Sequence, residues 1–341
     1  MSVKRRVIHI AHTINKSIAG ARSTAVARQR HMREFIDYCF SNRLDLKDPK
    51  TVTSQVLTCY SNYLATPAPG GKGNTKGTIQ NKLASVRVFL KGQGVDLQKA
   101  NLKFNSAAGV GERSRSGTKQ SVTDQIFEAS LARAIELGEV GFAHCIRIER
   151  FLGLRGQEAL MSSNALLRYA KEAQGMLLAG PREIRISNGT KGGRPRETTV
   201  IAKYAAETLR AIHDALEFAS KNGGFLIAGK APGLKAARAR YHKIAALVGL
   251  TGVFAPHSLR YRYACDKLEE LRDLGVCRAE AMVLAAKWLG HGPGRGRWVS
   301  MVYGQTVKDT FPKSTRRSSQ KNALSQIKAL IEQFPTGDSP M

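Results

Sequence analysis

The chain has 341 residues, 42% of them hydrophobic, and carries 54 Lys and Arg against 26 Asp and Glu, a formal net charge of +28. That length and apolar content suffice for two domains with packed cores and exclude a disordered chain, and the charge favours a polyanionic partner, nucleic acid first, over an acidic or apolar one. The five cysteines, Cys39, Cys59, Cys145, Cys265 and Cys277, are odd in number, widely spaced and without a CxxC pair, so they indicate neither a disulfide framework nor a zinc site. Residues 1–116 hold 20 basic and 6 acidic side chains, net +14, which leaves +14 for residues 117–341, so both halves are expected to touch the polyanion. The same charge also fits a ribosomal-type protein or a generally basic surface. No apolar run reaches 18 residues and the basic start lacks the apolar stretch of a signal peptide, which reads as a soluble protein of a reducing, bacterial-type cytosol with no membrane partner.

In chain order, residues 1–22 read as a basic, irregular segment. Ser23 and Thr24 then cap a helix whose apolar face includes Val26, Met32, Phe35, Ile36 and Cys39. A second helix follows Thr53 through Val56, Leu57, Tyr60 and Leu64, and the Pro- and Gly-rich stretch 67–74 breaks it. From Thr78 the helical spacing resumes with Ile79, Leu83, Val86, Phe89 and Leu90, which makes 23–104 a small helical domain. Residues 105–120 have the composition of a linker with a basic tint from Arg113, Arg115 and Lys119. The second domain, 121–312, opens with helices over 124–137 and 140–152. Strands over 183–187 and 197–201 flank the turn-rich, basic stretch 188–196 and predict a hairpin. The remainder reads as helix, so the expected class is mainly α with a small β-sheet (α+β): a helical domain followed by a mixed α/β one. After a basic, Ser-rich connector at 313–320, the tail 313–341 carries Ala323, Leu324, Ile327, Leu330, Ile331 and Phe334 on one helical stripe, which needs either a partner or its own domain to cover it.

The chemistry-bearing residues are Arg155, Lys191, His257, Arg260, His291 and Tyr303. Two arginines can each grip a phosphate through a planar fork of donors, and His257 and Arg260 lie three apart, on one face of a helix. Tyr303 is a phenol, a nucleophile once its proton is drawn off and the phosphate charge is neutralised. A histidine can accept that proton, and a lysine on a mobile hairpin can protonate a leaving oxygen. Taken singly, each has a bland reading: a core tyrosine, a structural histidine, an ion-paired arginine, a solvated basic hairpin.

Read together, Leu154-Arg155-Gly156-Gln157-Glu158, the hairpin lysine, His257-Ser258-Leu259-Arg260, Leu289-Gly290-His291 and the late Tyr303 resemble the Leu-Arg-x-x-Glu box, hairpin lysine, His-x-x-Arg, Leu-Gly-His and nucleophilic tyrosine of the tyrosine recombinase (phage integrase) family, in the same order. The N-terminal part resembles that family's helical core-binding domain in outline.

The resemblance implies a site-specific DNA recombinase or integrase that cleaves and rejoins DNA through a 3′-phosphotyrosyl intermediate, in integration, excision or resolution of a mobile element, without metal or cofactor. It assigns Tyr303 as nucleophile, Arg155 and Arg260 as phosphate clamp, His257 to the tyrosine proton and His291 to the phosphate. Lys191 is the general acid, with Arg194, Arg196 and Lys203 close by in sequence. Glu158 and Trp298 are supporting residues, Glu158 orienting Arg155 or a histidine. Candidate DNA contacts are Arg28, Lys76, Lys82, Arg87, Arg113, Arg115, Arg194, Arg196 and Arg262, while Tyr261 and Tyr263 read as helix packing or backbone contacts. The implied partners are double-stranded DNA, further copies of the chain in a tetramer on paired sites through the C-terminal helix, and accessory DNA-binding proteins, with a nucleoid association when DNA is bound. Two departures stand out: His291 to Tyr303 spans 12 positions and Arg260 to His291 is also long, and the loop 292–297 is expected to absorb the first. A type IB topoisomerase or telomere resolvase shares this chemistry, and a catalytically silent DNA-binding protein would share the fold.

Overall fold

The computed structural model describes residues 2–18, 22–44, 46, 48–67, 73–102, 104, 110, 119–179, 183–229, 231–292, 294–304, 307, 311–312, 325, 327 and 329. The chain divides into two compact units, Met1–Ser114 and Arg115–Met341.

The first unit is helical: α1 Val3–Ser17, α2 Arg22–Ser41, α3 Ser54–Ala65 and α4 Lys76–Gly92. Threonine hydroxyls start two of these helices, Thr53 accepting from the Val56 N–H and Thr75 from the Thr78 N–H, each at 3.4 Å. Met32, Phe35, Ile36, Leu57, Tyr60, Leu83, Val86, Phe89 and Leu90 fill the core at helical spacing. Residues 1–22, expected to be irregular, are corrected here, because most of them form α1. Its Val7 and Ala11 are buried, and Ile14 lies so close to Gly92 of α4 that a β-carbon there would meet Ile14 Cγ2 at 2.5 Å. The apolar period was present in the sequence but obscured by Arg5, Arg6 and two histidines on the opposite face, and by Lys4, which lies on the packed face and pairs with Asp37 of α2 at 2.8 Å.

In the second unit α5 Asp124–Glu136, capped by Thr123, leads to α6 Val140–Leu152. The α6 helix is buried along most of its length and packs against four others: α5, the five-residue α7 Gly156–Leu160, α9 Ala205–Lys221 and α11 His257–Asp273. Helices α8 Leu166–Ala179, α10 Leu234–Leu247, α12 Arg278–Trp288 and α13 Gly296–Val302 complete it. The hairpin is antiparallel, with β1 Ile184–Ile186 and β2 Arg196–Thr198 in the register Ile184↔Thr198, Arg185↔Glu197, Ile186↔Arg196.

The second strand was expected to run on through residue 201, and it stops early because α11 takes over its backbone groups. The Tyr263 hydroxyl donates to the Thr199 carbonyl at 2.8 Å, Lys267 Nζ donates to the Val200 carbonyl at 2.6 Å, and Glu270 accepts from the Ala202 N–H at 2.6 Å. Of the tail stripe, Ile327 is buried in the core of this unit, while Ala323, Leu324, Leu330, Ile331 and Phe334 lie outside the described residues. No helix among the described residues is long and apolar enough to cross a membrane.

Candidate active site

Arg155 follows Gly153, whose left-handed φ of 59° ends α6 and turns the chain into α7. It occupies the N-cap of α7, and the Glu158 carboxylate, one turn on, accepts from both its backbone N–H (2.8 Å) and its guanidinium (2.5 Å). Glu158 is fully buried and also accepts from Arg196, Nη2 at 2.7 Å and Nε at 3.3 Å, while Arg260 Nη1 stands 4.0 Å away. Burial alone would raise the Glu158 pKa, yet the charges and hydrogen bonds of Arg196, then Arg260 and Arg155, hold it down to about 2. Three guanidiniums therefore surround one carboxylate, which leaves two positive charges in excess.

Other donors of these arginines fall on backbone carbonyls at the ends of α6 and α12. Arg196 donates to the Trp288 and Gly153 carbonyls, Arg260 to Gly153 and Leu289, and Arg155 to Leu289 at 3.3 Å. Terminal helix carbonyls have no intrahelical donors and sit at the negative end of the dipole, so cations settle there. Leu289-Gly290-His291 is itself a helix stop: Gly290, at φ 62°, donates to the Lys287 carbonyl at 2.8 Å and His291 to the Ala286 carbonyl at 2.8 Å, the paired bonds of a Schellman cap. That cap swings His291 off the helix and towards α13, where its ring meets Trp298 (centroids 4.3 Å apart) and Tyr303 (5.8 Å).

Tyr303 ends α13 and is 2% exposed. Its ring is also packed by Tyr261 at 4.5 Å, Trp298 at 5.6 Å and His257 at 6.3 Å. His257 opens α11 and is exposed, and Arg260 is one turn further along the same helix, fully buried. Crowding by protein, then the charges of Arg260, Arg155 and Lys119, push the His257 pKa down to about 4. Burial, then Arg260, Arg155 and Arg196, push that of His291 to about 3. Both rings are thus neutral at pH 7 with one donor and one acceptor nitrogen each. His291 Nε2 is buried without a hydrogen-bond partner among the described residues.

The structure therefore brings Arg155, Glu158, His257, Arg260, His291, Trp298 and Tyr303 into one cluster. The connection after His291 turns at Gly294 (φ 77°) before α13 begins at Gly296. Lys191 is exposed in the tight turn Lys191–Gly193 of the hairpin and contacts none of these residues among those described. The base of that hairpin is fixed to α7: a β-carbon on Gly189 would lie 2.5 Å from the Gln157 carbonyl oxygen, and Asn188 Nδ2 donates to the Met161 carbonyl at 3.2 Å.

The integrase family profile matches residues 109–266, a span that holds Arg155, Lys191, His257 and Arg260 and ends before His291 and Tyr303. Over that span the chain is similar to the integrase family. Solved structures show the same fold for this chain. XerH site-specific recombinase bound to palindromic difH substrate is 16% identical over 86% of this chain and 90% of its own, with a TM-score of 0.54. A lambda integrase tetramer bound to a Holliday junction is 12% identical over 92% and 80%, TM-score 0.50. The Tn1549 transposon integrase with circular intermediate DNA is 13% identical over 89% and 97%, TM-score 0.50. No curated protein matches the chain in sequence.

Among the expected DNA contacts, Lys76, Arg87 and Arg194 are exposed, and Arg28 is half-buried and bonded to Asn15 at 3.2 Å. Arg262 is half-buried and paired with Asp124 (3.1 Å) and Asp266 (3.4 Å), and Arg113 and Arg115 lie outside the described residues. Two expectations are corrected. Arg196 is buried and spends donors on Glu158 and carbonyls, so it is not on the surface where a DNA contact was expected. Lys82 is buried on the core face of α4 and paired with Glu34 at 2.6 Å. Both were legible from periodicity: Arg196 and Thr198 share the buried side of β2, and Lys82 lies three residues after Ile79 and four before Val86.

Proposed function

We propose that this protein is a site-specific DNA recombinase of the tyrosine recombinase (integrase) family whose Tyr303 cleaves and rejoins DNA. The observation that carries the reading is a buried excess of two positive charges, from Arg155, Arg196 and Arg260 around Glu158, beside a tyrosine flanked by two neutral histidines. Such a hole is complementary to a phosphodiester, and more so to the phosphorane, whose charge is greater at the moment of reaction.

In this reading the Tyr303 oxygen attacks the scissile phosphorus as its proton passes to neutral His257. The bond to the 5′ oxygen breaks, that oxygen takes a proton from Lys191, and a 3′-phosphotyrosyl bond remains. Attack by another 5′ hydroxyl reverses each transfer and frees the tyrosine. Arg155 and Arg260 hold the non-bridging oxygens, and His291 donates its single N–H to one of them. Nucleophile, base, acid and clamp all come from side chains. Tyr303 and Arg260 are covered in this structure, so engaging a duplex requires α13 to shift and uncover both. Exchange between two duplexes takes four cleavages, and we assign them to four copies of the chain, in keeping with the tetrameric lambda integrase neighbour.

The test is covalent capture with a labelled pool of nicked duplexes of randomised core sequence, in a chelator, followed by denaturing electrophoresis. Wild type is expected to yield a protein-linked band and Tyr303→Phe none, with duplex affinity retained because one oxygen and no charge is lost. A Tyr303→Phe band would remove this tyrosine from the mechanism. Binding without any wild-type band would leave a silent DNA-binding protein.

A further inference from the structure

We propose that Arg196 is a positioning residue for the reaction, neutralising Glu158 so that the carboxylate does not offset the charge that Arg155 and Arg260 offer the phosphate; the inference rests on the recombinase reading above. Glu158 has to be present, since it caps α7 and fixes Arg155 through the Arg155 backbone N–H and guanidinium. A lone buried carboxylate among cations would, however, draw those cations onto itself, and Arg260 stands only 4.0 Å from it. Arg196 prevents this by touching both carboxylate oxygens from the side of the hairpin, while its remaining donors go to the Gly153 and Trp288 carbonyls. It is 6% exposed, so it has no surface left for DNA.

A second, independent observation is the slot made for it. The Arg196 side chain runs across Gly290, where a β-carbon would overlap its Cδ and lie 3.1 Å from its Cβ. The glycine of Leu289-Gly290-His291 thus has two reasons to lack a side chain, the left-handed cap and the passage of Arg196.

Charge arithmetic supplies the experiment. Wild type has three guanidiniums against one carboxylate, an excess of two. Arg196→Gln lowers the excess to one and leaves Glu158 competing with the phosphate, whereas Arg196→Gln with Glu158→Gln restores it to two.

Single-turnover formation of the phosphotyrosyl adduct on captured nicked duplexes, together with duplex affinity, is measured for wild type, both single variants and the double variant. We expect Arg196→Gln to slow adduct formation by about 100-fold with affinity unchanged, the scale of losing one preorganised donor. The double variant is expected to recover to within about tenfold of wild type, because removing both partners of a buried pair is tolerated far better than removing one. A double variant no faster than Arg196→Gln, or Arg196→Gln as fast as wild type, overturns the proposal. A purely architectural arginine would make the double variant the worse of the two.

Should Arg196→Gln not fold, the double variant against Glu158→Gln alone decides the matter, since Arg196 has nothing to neutralise once residue 158 is uncharged. Equal rates support the proposal and a further loss overturns it. Absence of an adduct with wild type overturns the recombinase reading itself, and this inference with it.

Discussion

Glu149 on α6 is fully buried and accepts a hydrogen bond from the Tyr241 hydroxyl at 2.6 Å, while its second oxygen has no partner among the described residues. Burial pushes its pKa up to about 8, with nearby Glu158 adding to the rise and the Tyr241 hydrogen bond and Arg260 opposing it. Glu158, equally inaccessible, goes the other way, to about 2, because guanidiniums touch it directly. The difference between these two carboxyls is contact, not depth. At pH 7 Glu149 is a neutral acid and adds no negative charge behind the arginine cluster. The linkage has a definite sign. From the ordinary value of 4.5 up to about 8 the folded chain keeps this proton and the unfolded chain has lost it, so Glu149 costs stability as pH rises through that window. Glu149→Gln keeps an acceptor for Tyr241 and does not titrate. Urea denaturation of both proteins between pH 5 and 8.5 is expected to show the variant gaining on wild type by up to about 1.4 kcal/mol per pH unit, levelling off above about pH 8. A gap that stays constant with pH would mean that Glu149 is ionised in the fold.

At the scale of elements, α6 packs against α7 and α11, which bear Arg155 and Arg260, and one of its residues measures how closely it is packed. A β-carbon on Gly141 would collide with the Leu226 carbonyl oxygen and lie 2.8 Å from Phe218 Cε1. Backbone cannot step aside as a flexible side chain can, so Gly141→Ala is expected to destabilise the protein by about 1–3 kcal/mol, read as a lower urea midpoint at unchanged slope. An unchanged midpoint would mean that the segment at Leu226 does not seat against α6. The sequence offered no sign of this contact, since Gly141 and Leu226 are 85 positions apart. Features set by neighbouring residues were readable: the helix starts at Thr53 and Thr123, the 124–137 and 140–152 helices, and the position of the hairpin. The order of Arg155, His257, Arg260, His291 and Tyr303 was readable as well, because each belongs to a short motif. What escaped was decided by tertiary partners. The end of β2 depends on Tyr263, Lys267 and Glu270 of α11, and although the period of β2 marks Arg196 as inward, the partner it meets there is a carboxylate 38 positions earlier. The helix α1 escaped for a different reason, as its basic face obscured a regular apolar one.

For the molecule as a whole, the net charge of +28 governs how it meets a polyanion, and the buried arginines contribute to that charge without lying on the surface. Affinity for duplex DNA is expected to fall linearly with the logarithm of salt concentration, because each phosphate neutralised at the surface releases condensed counterions. Residues within one short segment then separate by location. Arg194 is exposed in the hairpin, whereas Arg196, two positions on, is buried on Glu158. Arg194→Gln should weaken binding to all sequences alike and make the log–log salt slope shallower by about 0.9, the share of one phosphate contact. Arg196→Gln should leave the slope where it is, although it removes the same formal charge. Fluorescence anisotropy with a labelled duplex across a salt series measures both. If the two variants shift the slope equally, Arg196 reaches DNA after all, and the separation between a surface charge that binds the duplex and a buried one that readies the phosphate site fails.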